Sequence, residues 1–130
     1  MGLEQSGDLR LQIVGVDVLP GDPANQVFPN KTGELPVAVL SSGEFDASQV
    51  DPATLKFGAG QAMPAGSPVI SDVDGQFGVD TTVRFPVADS GILCNDTEVS
   101  MSGETYSGEQ FIGSDAIDAT ACQTGGCHPY

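Results

Sequence analysis

The chain has no tryptophan, a single histidine and only four cationic side chains, Arg10, Lys31, Lys56 and Arg84. Each scarcity closes off a class of function. Four cations against eighteen carboxylates leave a formal net charge of −14 on 130 residues, and phosphate backbones and anionic headgroups repel such a body. Nucleic acid is therefore excluded as a partner. Membrane insertion is excluded as well, because no apolar run approaches the ~20 residues that a helical span needs. The one histidine, His128, has no partner that spacing assigns, so a Ser-His-Asp or Cys-His relay lacks its base. No glycine-rich loop opens a helix to cradle phosphate, and without tryptophan a sugar platform is poorly supplied. The expectation is a protein that is not an enzyme.

Cysteine is sparse too. Cys94, Cys122 and Cys127 form no Cys-x-x-Cys pair and no zinc spacing with histidine. One disulfide plus one odd thiol is the simplest arithmetic, and it points to an oxidising, extracellular compartment. The start, Met1 to Asp8, has neither the basic nor the apolar region of a signal peptide, so a secreted form is expected to have lost its leader already.

What is abundant is punctuation and alternation. Glycine and proline make up 26 of 130 residues, too many for long helices. Apolar residues recur with period two: Leu9, Leu11 and Ile13, then Leu35, Val37 and Val39, then Val79, Thr81, Val83 and Phe85. Val14, Val16 and Val18 take the opposite phase to Leu9–Ile13, and the flip falls at Gly15. A bulge, or two strands meeting there, produces such a flip. One helical turn is allowed at Phe45–Pro52, capped by Asp46 and ended by Asp51-Pro52. The predicted fold is all-β, an immunoglobulin-like or jelly-roll-type sandwich of about seven to nine antiparallel strands with at most one short helical turn. At this length a single domain buries roughly two-thirds of its unfolded surface.

The carboxylates are unevenly chosen, since Asp outnumbers Glu twelve to six. Short carboxylates crowded into loops suit a hard divalent cation, which takes about six to eight oxygens from a tight loop. The strongest match is Asp72-Val73-Asp74-Gly75-Gln76-Phe77-Gly78-Val79-Asp80. Asp72, Asp74 and Gln76 stand at alternate positions, with the Gly78 carbonyl and Asp80 next in the series. These five are the candidate calcium ligands, and Gly75 and Gly78 allow the curl. The full twelve-residue helix–loop–helix calcium pattern is absent, because Val83 stands where its last glutamate belongs. An acidic β-turn is the bland alternative. Weaker acidic loops surround Asp17, Asp22 and Asn25, then Glu44, Asp46 and Asp51, then Asp89, Asp96, Asp115 and Asp118. Asp46 reads better as a cap than as a ligand. Asn30-Lys31-Thr32 and Asn95-Asp96-Thr97 are glycosylation acceptors, giving Asn30 and Asn95 as candidate sites.

From Val16 to about Cys122 these pieces occur in an order that resembles a β-rich module of secreted and cell-surface proteins of bacteria and archaea. The resemblance is carried by Val16-Asp17-Val18-Leu19-Pro20-Gly21-Asp22-Pro23 with Asn25, Leu35–Leu40, Phe45-Asp46, Val50–Gly58, and Asp72-Val73-Asp74-Gly75. Asp96-Thr97, Ser102-Gly103-Glu104-Thr105, Gly108 and Gly113–Ile117 complete it. It implies an extracellular, calcium-dependent accessory module without catalysis, and it implies a Cys94–Cys122 pair with Cys127 left over. Members carry a fuller Asp-x-Asp/Asn-Gly-Asp-Gly loop, from which Gln76 and Phe77 depart. On this reading residues 1–15 are an N-terminal strand or extension, 16–122 the sandwich, and 123–130 a tail. The N-terminal strand either belongs to its own sandwich or adds to the sheet edge of another copy, and Cys127 is then a candidate for an intermolecular bond. The expected function is an extracellular calcium-binding structural protein that assembles with copies of itself into a filament, tube or surface matrix. The alternative is a monomeric accessory module that binds polysaccharide or a surface protein.

Overall fold

A computed structural model describes residues 11–29, 33–75 and 78–120. Asn30, Gln76, Cys122, Cys127 and His128, with the whole of segments 1–10 and 121–130, lie outside the described residues. The fold is an all-β sandwich of two four-stranded sheets. In chain order the strands are β1 (Leu11–Ile13), β2 (Gly15–Val18), β3 (Glu34–Leu40), β4 (Lys56–Phe57), β5 (Val69–Ser71), β6 (Asp80–Pro86), β7 (Glu98–Glu104) and β8 (Gln110–Ala116). One sheet runs β1-β8-β7-β4 and the other β2-β3-β6-β5. The core lies between them, built from alternate residues such as Val37, Val39, Val83, Phe85, Met101 and Phe111. Each such side chain contributes about 1.5–3 kcal/mol by leaving water.

The phase flip at Gly15 is two strands meeting. β1 and β2 are one run of chain split between the sheets, with Val14 N–H donating to Ile112 O at 2.9 Å as the chain crosses. Gly113 makes the crossing possible, because a Cβ there would stand 2.5 Å from Val14 O and 2.5 Å from Val16 Cγ2. The crossing also explains two departures from the sequence reading. β1 pairs with β8 in parallel, unlike every other named strand pair of the two sheets. Its register sets Gln12 opposite the buried Phe111, which turns Leu11 and Ile13 outward, 48% and 76% exposed.

Among the described residues, short helical turns number three where one was expected. Ala47–Gln49 and Pro52–Thr54 are 3-10 turns, and α1 (Val87–Ser90) follows β6 directly. Asp46 caps the first turn by accepting Ser48 N–H at 3.0 Å. Asp51, read as a terminator, caps the second by accepting Ala53 N–H at 3.1 Å. Between the two sheets, Asp115 of β8 accepts Val18 N–H and Asn25 Nδ2–H on one oxygen, each at 2.9 Å. No helix among the described residues is long and apolar enough to cross a membrane.

Candidate metal centre

The connection from β5 to β6 carries the acidic loop. Asp72 Oδ1 accepts Gly75 N–H at 2.9 Å, which turns the chain back on itself. Gly75 and Gly78 take φ of 69° and 79°, a region in which a Cβ is disfavoured. Asp80 opens β6. The strand alternation placed it on the solvent side, yet it is 0% exposed. Two loops cover it: Ser41 N–H donates to Oδ1 at 2.8 Å and Val73 N–H donates to Oδ2 at 3.0 Å. Both donors are backbone amides, which orient the carboxylate without neutralising it.

The result is a carboxylate triad. Oxygens of Asp72, Asp74 and Asp80 lie within 4.8 Å of one another, grading from exposed through half-buried to buried. Ligands on opposite sides of a calcium ion stand about 4.6–5.2 Å apart, twice the Ca–O distance, so the three oxygens fit one coordination sphere. An all-carboxylate donor set favours calcium, magnesium or manganese over zinc or copper, which prefer nitrogen and sulfur. Of the five expected ligands, the fold brings these three together. Gly78 is in the same loop, and Gln76 lies outside the described residues.

The field of the triad reaches β2. Asp17 has its pKa raised from 3.8 by burial first, then by the charges of Asp115 and Asp74. Asp17, Asp22, Asn25 and Asp115 line a cleft of about 530 Å³. Asp22 is occupied as a turn former, accepting Ala24 N–H at 3.0 Å. Asp96 accepts Leu93 N–H at 2.9 Å, and Asp118 accepts Thr120 N–H at 3.0 Å and Thr120 Oγ1–H at 2.6 Å. Those Thr120 bonds, the hydroxyl first, lower the Asp118 pKa from 3.8. Asn95 sits at φ 72° in the turn before β7. Cys94 is disulfide-bonded, and both other cysteines lie outside the described residues.

Sequence reasoning missed Ser41 and Thr81. No motif or spacing in the sequence singles out Ser41, and Thr81 enters only as one position of an alternating strand. Nothing local in the sequence pairs Ser41 with an aspartate 39 residues away. Comparison with protein-family models, with curated proteins and with solved structures finds no match.

Proposed function

We propose that the chain is an extracellular calcium-binding structural protein, a self-assembling subunit of a filament, tube or surface matrix. The observation that carries the cation is the triad. Three carboxylates held within 4.8 Å, one of them fully buried, repel one another until a divalent ion sits among them. With a dissociation constant of about 10⁻⁴–10⁻³ M, about 10 mM calcium adds roughly 1.4–2.7 kcal/mol to stability. Neutralising part of a −14 charge also lets acidic copies approach. Support for assembly comes from the sheet edges. Among the described residues β1 and β5 are edge strands, and Leu11 and Ile13 are exposed on β1. On edge strand β5, Ile70 stands opposite Thr81 on the core side yet is 54% exposed.

Light scattering after gel filtration, in millimolar calcium and in excess EDTA, with electron microscopy of the calcium sample, tests both halves. Ordered polymers that dissolve on chelation are the expected result. Polymers that persist in EDTA refute the role of calcium, and a monomer in both conditions refutes assembly. A monomer would favour the accessory binding module, for which the structure offers a cleft of about 590 Å³ lined by Ser41, Ser42, Glu44, Asp46 and Ser48 among others.

A further inference from the structure

Ser41 stands just beyond β3 and touches the triad and a second loop at once. Its N–H holds Asp80 Oδ1 at 2.8 Å. Its hydroxyl donates to Val79 O, the residue before Asp80, and accepts Ala47 N–H at 2.8 Å. Thr81, the residue after Asp80, donates its hydroxyl to Ala47 O at 2.7 Å. The Ala47 N–H and C=O are therefore both held by residues that bracket or bind the buried carboxylate. Between Ser41 and Ala47 on the same connection, Phe45 packs on Phe111 of the opposite sheet, ring centroids 5.2 Å apart, and Glu44 O accepts Gln12 Nε2–H at 3.1 Å. Hydrogen bonds and the Phe45–Phe111 ring contact thus link Asp80 through residues 41–47 to β8 and β1.

We infer that Ser41 is a positioning residue of the cation site, and that its hydroxyl makes cation occupancy and the order of connection 41–50 a single equilibrium. The coupling rests on the triad holding a cation. Its direction follows from charge. Without a cation the charges of Asp72 and Asp74 push on the buried Asp80, and that push is borne by its bonds to Ser41 N–H and Val73 N–H. A cation among the carboxylates removes that push, so it tightens Ser41 and, through the hydroxyl, Ala47. Binding at one end of the sandwich then firms the contact that residues 44 and 45 make with β1 and β8, the sheet whose edge carries Leu11 and Ile13.

Hydrogen exchange at the Ser41 and Ala47 amides of the unmodified chain, with and without calcium chloride, reads the coupling directly. Calcium is expected to slow both amides by about fivefold or more, the lower end of ordinary coupling between sites. Calorimetry on Ser41→Ala is expected to show calcium affinity reduced by a similar factor of about five and the calcium effect at Ala47 lost. Ser42→Ala, whose hydroxyl accepts Glu44 N–H at 3.2 Å, should keep both. Calcium binding to the unmodified chain with unchanged exchange at Ala47 overturns the coupling and leaves the cation site standing. Equal affinity in Ser41→Ala does the same. Absence of calcium binding to the unmodified chain overturns both.

Discussion

Phe57 and Phe85 stack across the sandwich with ring centroids 4.9 Å apart and planes 21° from parallel. Phe57 comes from β4 of one sheet and Phe85 from β6 of the other, and both are fully buried. Truncating either removes a large share of the contact between sheets. Phe57→Ala is expected to cost about 3–5 kcal/mol, against a total of about 5–15 for a domain of this kind. Exposed Lys56 next to it is the control, since Lys56→Ala should stay within about 0.5 kcal/mol. Urea unfolding followed by circular dichroism measures both.

Gly113 tests the crossing between sheets. An alanine there places its Cβ against the Val14 carbonyl and the Val16 methyl, and the carbonyl is fixed by the run of chain between β1 and β2. Gly113→Ala is expected to destabilise by about 1–3 kcal/mol, as overpacking does. Because the strain falls where β1 leaves for β2, exchange at the Val14 amide, bonded to Ile112 O, should quicken more than in the centre of β3.

The pH dependence has opposing contributions. Asp17 has a raised pKa, so the folded state binds its proton more tightly than the unfolded chain does. Its ionisation therefore opposes folding above the folded value, and this penalty is relieved as pH falls from there towards 3.8. Asp118 acts the other way, contributing stability above 3.8 that is lost as pH falls through its depressed value. Asp17→Asn is expected to raise the urea midpoint at neutral pH and to flatten the pH profile just above 3.8, leaving the more acidic limb in place. Calcium at Asp74 would cancel one of the charges acting on Asp17. The Asp17 carboxyl, followed by NMR, is thus expected to titrate lower in calcium.

The Cys94 disulfide makes the fold sensitive to reduction. Reducing a native disulfide of a small domain costs about 2–5 kcal/mol, so the thermal midpoint should drop sharply in reducing agent. Peptide mapping without reduction identifies the partner. The resemblance implies Cys122, and a Cys94–Cys127 peptide would refute that pairing.

Much of the fold was legible because a half-buried strand leaves a period of two. Val37, Val39, Val83 and Phe85 fall on one face by alternation alone, and all are buried. Asp46 was legible as a cap because capping is local, an oxygen reaching an amide two residues on. Leu11 and Ile13 were not, because their alternation marks a strand without saying which side faces in. The pairing of Gln12 with Phe111 decided that. Ile70 stands opposite the buried Thr81, but its strand at the edge of the described sheet leaves it half exposed.

The candidate site divides along the same line. Spacing alone brought Asp72 and Asp74 into one turn, with Gly75 and Gly78 free to adopt the φ that the turn requires. Burial of Asp80 was decided by tertiary structure, since its hydrogen-bond donors include Ser41 from another connection as well as Val73 from its own. A sequence of this composition determines by itself a strongly acidic, strand-rich chain with a loop chemically suited to a hard cation. Those properties depend on residue type and on neighbours a few positions away. The partition of β1 and β2 between sheets, the burial of one aspartate and the link through Ser41 and Ala47 depend on residues far apart in the chain. Only the packing of two sheets brings those together.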